Sequence, residues 1–209
     1  MKIEDMCTNI SDYIALELNL DEEKKSVINY GIFAFIHMVI CIVSVAFFGA
    51  IFNVFLEALI ISFAISILRK TSGGVHASSP ERCAVIGTIS TILMALLAKR
   101  LSVSCNLNLL IGIIVFTYSY YVIYKLAPVD SPAKPIKNPK KKIKLKKKSI
   151  IITTIYLGIV IINISAYLLT EKYLFLNYSM CIYMGLLWQV FSLTEKGHLI
   201  LGKLNDVLV

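Results

Sequence analysis

The chain has 209 residues, 57% of them hydrophobic and 16% charged, with a mean hydropathy of +0.77. A water-exposed surface needs more charge than this, so the composition excludes an ordinary soluble domain and predicts an all-α polytopic membrane protein. The net charge of +8 is local: nine lysines fall between Lys134 and Lys148 and the rest of the chain is close to neutral. Such basicity points to topology or to a local partner, and no nucleic acid is expected as one.

From Lys2 to about Leu20 apolar residues recur at three- and four-residue steps, with Glu4, Asp5, Asn9, Asp12 and Glu17 between them. That pattern predicts an amphipathic helix, lying in the membrane interface or packed on the protein's own loops. The first 26 residues lack a basic start, an apolar middle and a small-residue cleavage site, so the N-terminus is expected to be retained in the cytosol.

About 20 apolar residues are needed per membrane helix. Three hairpins meet that measure: Val27–Ala50 with the shorter Ile51–Leu68, Cys83–Ala98 with Leu107–Tyr124, and Ser149–Leu169 with Tyr173–Leu193. The expected organisation is therefore an interfacial segment over 1–26 and a six-span domain over 27–209. With a cytosolic N-terminus, Lys and Arg in the connections divide 18 inside to 3 outside, which satisfies the positive-inside rule. Both termini, the loop 69–83 and the basic loop 126–148 then face the cytosol of a multi-pass cell-membrane protein. The five cysteines, Cys7, Cys41, Cys83, Cys105 and Cys181, are scattered without paired spacing, and a disulfide framework is not expected in that compartment.

The polar island Arg69–Cys83 lies between two apolar runs and holds His76 seven residues before Cys83. A thiolate is the nucleophilic form of cysteine, and a nearby imidazole can take its proton and stabilise the anion. Pro80 predicts a turn and then a new helix, capped by Ser78 or Ser79, with Cys83 in its first turn, where the helix dipole favours an anion. Gly73 and Gly74 permit a tight turn whose amides could donate to an oxyanion, with Arg69 as a charged alternative. Spacing alone leaves a second reading open, in which the glycines turn one membrane helix into the next and Cys83 is inert.

Arg69, Gly74, Val75, His76, Ala77, Ser78, Ser79 and Cys83, followed by Ala127-Pro128 and by Lys134-Pro135-Ile136 before a lysine run, resemble the accessory gene regulator protein B (AgrB) family over nearly the whole chain. Ser79-Pro80-Glu81-Arg82 is the less family-like part. The resemblance implies a membrane cysteine endopeptidase that removes the C-terminal tail of an AgrD-like autoinducer propeptide in quorum sensing. It implies His76 and Cys83 as the catalytic pair, Arg69 and Gly74 as supporting positions, and a homodimer. Cys83 would hold the peptide as a thioester, which an internal thiol or hydroxyl of the peptide would attack to close a thiolactone or lactone ring.

Lys140, Lys141, Lys142, Lys144, Lys146, Lys147 and Lys148 are expected to hold anionic lipid, an acidic precursor tail, or both. Asp130, on the expected cytosolic side, is a candidate third catalytic group. Glu57 is the acidic residue inside a predicted span, and interhelical hydrogen bonding is its expected role. His37 and His198 lack partners at metal-ligand spacing, so neither a metal nor a cofactor is expected. The competing class is a small peptide transporter or exporter without covalent chemistry. That class predicts polar residues spread over several spans, whereas the sequence places most of them at one face.

Overall fold

The computed structural model describes residues 3–75, 79–101, 103–130, 136 and 138–207. Among them are eight helices: α1 (Ile3–Glu17), α2 (Glu22–Ile51), α3 (Phe55–Ser72), α4 (Pro80–Arg100), α5 (Cys105–Leu126), α6 (Pro139–Thr170), α7 (Leu174–Phe191) and α8 (Glu195–Val207). The described residues contain no strand, so the fold is all-α as the composition predicts. The chain divides into two compact units, Met1–Ser44 and Val45–Val209.

In the first unit, α1 exposes Ile10, Tyr13 and Leu16 and buries Cys7, Ser11 and Ala15 at four-residue spacing. That is the periodicity of one helical face. Lys25 of α2 bridges to Asp12 of α1 at 2.8 Å, and the Asp21 carboxylate caps α2 by accepting from the Lys24 amide at 2.8 Å.

In the second unit, α3, α5 and α7 run one way and α4 and α6 the other. At one end the Lys99 ammonium donates to the Asn53 carbonyl, the Tyr173 hydroxyl to the Val103 carbonyl at 2.9 Å, and the Asn177 amide to Glu57 at 3.1 Å. At the other end Ser149 of α6 donates to Thr71 of α3 at 2.9 Å, and Gln189 of α7 to Ser72 of α3 at 3.0 Å. Five described helices, α2, α4, α5, α6 and α7, are long and apolar enough to cross a membrane. The 18-residue α3 carries Glu57, Arg69 and Lys70 and falls outside that group. Its ends nevertheless lie level with those of α4, α5 and α7, and at 1.5 Å per residue it is about 27 Å long, close to the hydrocarbon thickness.

α7 and α3 form the buried centre of this unit, with Leu176, Cys181, Leu186 and Val190 of α7 and Ala58, Ile61, Ala64 and Leu68 of α3 almost fully enclosed. The approach of α3 to α7 depends on small residues, since a Cβ on Gly185 would stand 2.9 Å from the Ala64 Cβ and 3.1 Å from the Ile61 carbonyl oxygen. Lipid tails are as apolar as leucine, so such helices associate through close packing and interhelical hydrogen bonds. Tyr156 of α6 donates to the Ala64 carbonyl at 2.9 Å. Asn108 of α5 donates to the Leu176 carbonyl at 3.1 Å and accepts from Tyr183 at 3.3 Å.

Three features depart from the sequence expectation. The lysine run is helical over Pro139–Lys148 and continuous with the following span, because Asn138 caps it by accepting from the Lys140 and Lys141 amides at 2.9 and 3.4 Å and Pro139 suits the first helical position. The segment after Leu193, for which the six-span expectation named no element, forms α8. Buried polar residues also extend along several helices, including Glu57, Thr88, Asn108, Thr153 and Asn177. The one-face distribution used against the transporter class therefore does not hold in the folded chain.

Candidate functional site

α3 ends at the island. Thr71 and Ser72 turn their hydroxyls back onto the Leu68 carbonyl at 3.1 and 3.0 Å, and the Gly73 amide caps the helix by donating to the Arg69 carbonyl at 3.0 Å. Gly73 has φ +72° and Gly74 φ +126°, conformations that glycine adopts without Cβ strain. The sharp reversal brings Gly73 into a parallel bridge with Val129, and the Val129 amide donates to the Ser72 carbonyl at 2.9 Å.

Gln189 of α7 and its C-cap residue Ser192 close the other side. The Gln189 side-chain amide donates to the Gly73 carbonyl at 2.8 Å as well as to Ser72. The carbonyl of Ser192, just past α7, accepts from the Val75 amide at 3.3 Å. Arg69 reaches over the turn and donates to the Val75 carbonyl. The strand of chain from Ser72 to Val75 is thus held by α3, by α7 and by the segment after α5. The Gly73 amide is engaged in capping α3, and the Gly74 amide has no acceptor among the described residues.

Cys83 sits in the first turn of α4, as the Pro80 signal predicts. Ser79 is the N-cap: its hydroxyl accepts from the Arg82 amide at 3.3 Å and its carbonyl from the Cys83 amide at 3.1 Å. The thiol is free of any disulfide and half-buried. Burial pushes the Arg69 pKa down, and an electrostatic interaction with Cys83 acts in the opposite sense. His76 lies outside the described residues, as do Ala77 and Ser78.

Asp130 follows Val129, which bridges to Gly73, and its carboxylate accepts from the Ile136 amide at 3.2 Å. That bond closes its own loop. Among the seven α6 lysines, Lys146 donates to the Tyr124 carbonyl at 2.7 Å and its ammonium stands 5.2 Å from the Tyr124 ring centre. Glu57 is 9% exposed and bonded to Asn177, the interhelical role expected of it. It lines a cavity of about 380 Å³ with Asn53, Lys99 and Tyr178, at the opposite end of α3 from Cys83. No group of described side chains could hold a metal ion. Sequence reasoning gave Gln189 no place at the site, because its partners lie 116 and 117 residues away. The Ser192 contact was missed for the same reason.

The sequence model of the family described as accessory gene regulator B matches residues 7–193. The chain belongs to the AgrB family. Among its relatives, an AgrB-like protein of Clostridium perfringens strain SM101 is 41% identical over 207 residues, covering 98% of this chain and 97% of that protein. AgrB-like protein 2 of C. perfringens strain 13 is 40% identical over the same shares, and AgrB-like protein 1 of that strain is 29% identical over 59% of this chain and 64% of its own length. No solved structure matches the chain significantly. Membership of the AgrB family supports a role in processing a quorum-sensing peptide.

Proposed function

We propose that this AgrB-family chain is a membrane cysteine endopeptidase that converts an AgrD-like propeptide into a cyclic autoinducer intermediate. The observation that carries the reading is a half-buried, disulfide-free Cys83 in the first turn of α4, in electrostatic interaction with Arg69, whose guanidinium clamps the Gly73–Val75 turn. The thiolate is the nucleophilic form of cysteine.

Cys83 attacks the carbonyl that joins the future signal to its C-terminal tail. The carbon–nitrogen bond breaks, His76 gives the leaving amine its proton, and a thioester to Cys83 remains. A thiol or hydroxyl within the peptide then attacks that thioester, releasing Cys83 and closing the ring. Exchange of one thioester for another is nearly neutral in energy, so the ring forms when water is kept away and the peptide is held near the carbonyl. In this reading Arg69 and the Gly74 amide supply the donors that stabilise the oxyanion.

The lysines of the N-terminal part of α6 draw the acidic precursor tail, and anionic lipid, toward this face. Both termini and the site lie in the cytosol, and the active form is a homodimer. Intact mass of products tests the chemistry in liposomes carrying the full chain and a candidate precursor. Wild type is expected to release the tail and leave a core lighter by one water than the linear peptide, while Cys83→Ala does neither. A precursor left whole by folded wild type across several candidates overturns the peptidase reading in favour of a transporter.

A further inference from the structure

Gln189 is fully buried near the end of α7, and the direction of its amide is set by its neighbours. The Gly73 carbonyl can only accept. The Ser72 hydroxyl donates to the Leu68 carbonyl and is left as an acceptor. Both therefore face the Gln189 nitrogen, at 2.8 and 3.0 Å. The Gln189 carbonyl oxygen is buried with no partner among the described residues.

A buried amide with an unused acceptor is a costly way to fill space, since an apolar side chain of the same length would pack there without an unsatisfied group. What the amide does, and a methionine would not, is hold the Gly73 carbonyl. The contacts around it converge on the same turn: a Cβ on Gly74 would stand 2.6 Å from the Ser192 Oγ and 3.5 Å from the Gln189 nitrogen. The Ser192 hydroxyl in turn donates to the Gln189 carbonyl of the backbone at 2.7 Å. The end of α7 thereby fixes the chain at Val75, and Ser79 fixes it again at the cap of α4, four residues before Cys83.

We propose that Gln189 is a positioning residue of the proposed peptidase. By holding the Gly73 carbonyl it sets the turn that leads toward Cys83, so α7 belongs to the site although it contributes no group to the chemistry. The inference rests on the peptidase reading. Displacement of a reacting group by about 1 Å can cost about 100-fold in rate, and the Gln189 bond is the side-chain contact from α7 that resists such a shift at Gly73.

The test uses the full chain in liposomes with a candidate precursor, comparing wild type, Gln189→Met, Ser72→Ala and Cys83→Ala. The readouts are tail release, KM, melting temperature and site-resolved hydrogen exchange. In Gln189→Met we expect tail release slowed about 100-fold with KM within about threefold of wild type. Exchange is expected to rise at the amides of Gly73 and Val75, with the bundle's melting temperature held. Tail release within about threefold of wild type, or a loss that follows a fall in melting temperature, overturns the proposal. Should Gln189→Met fail to fold, Ser72→Ala decides: a slower turnover with faster exchange at the same amides supports the positioning role, and unchanged values for both overturn it. Failure of the peptidase reading looks different. There, folded wild type and Cys83→Ala leave the precursor alike, while the exchange readout still reports whether Gln189 holds the turn.

Discussion

Arg69 and Val75 are joined across the Gly73–Gly74 turn by a bond from the guanidinium to the main-chain carbonyl. The contact makes Arg69 a strut for the turn, its charge also interacts with Cys83, and substitution can separate these two effects. Lysine keeps the charge but loses the planar fork. Arg69→Lys is expected to slow tail release by about 10-fold and Arg69→Met by about 100-fold, in the range of other lost transition-state donors. Single-turnover kinetics on folded, membrane-inserted protein is the check, and equal losses in the two variants would show that charge plays no part.

The two glycines differ in what surrounds them. A Cβ on Gly73 would collide with the Val129 carbonyl oxygen, which is main chain and cannot rotate away, whereas a Cβ on Gly74 meets the Ser192 Oγ at 2.6 Å. Gly73→Ala should therefore be the more damaging. Adding Ser192→Gly should recover part of the activity of Gly74→Ala and none of that of Gly73→Ala, with the remaining deficit set by the positive φ of Gly74. Recovery is read from tail release per folded molecule.

Asp130 carries a different expectation. Its carboxylate closes a loop to the Ile136 amide, and asparagine retains an acceptor for that bond. Asp130→Asn should keep tail release within about threefold of wild type, because general acid–base or histidine-orienting groups are worth about 100-fold or more. A loss on that larger scale would make Asp130 the third catalytic group.

At the far end of α3, Asn177 is the partner of a buried carboxylate. Asn177→Leu leaves Glu57 without its donor, which should cost about 1–3 kcal/mol and lower the melting temperature in detergent. Glu57→Gln retains a side-chain oxygen to accept from Asn177 and should be milder. Neither should change tail release per folded molecule, since this pair stands at the opposite end of α3 from Cys83.

The lysines before the α6 span make a charged helix rather than a loop. Replacing Lys140, Lys141, Lys142 and Lys144 by glutamine should leave insertion intact and slow processing of an acidic-tailed precursor at low ionic strength. The difference should vanish near 1 M salt, where the Debye length is about 3 Å. Equal rates at low salt would leave these lysines with lipid and topology alone.

Composition and hydropathy determined that the chain is helical and inserted in a bilayer, because a span needs a long apolar run whatever its neighbours are. The Pro80 signal likewise placed Cys83 in the first turn of α4, since a cap and an N-terminal proline act within one helical turn. Local chemistry also made Gly73 and Gly74 a turn. The tertiary structure alone decided what that turn rests on. Gln189, Ser192 and Val129 are remote in sequence and meet it only when α3, α5 and α7 end at one level. Periodicity reports which face of a helix is apolar, but not its height against its neighbours, so the role of α7 could not be read from the chain. The helix over the lysine run was hidden for a related reason: charge masks hydropathy, and the Asn138-Pro139 cap that starts it sits ten residues before the apolar span.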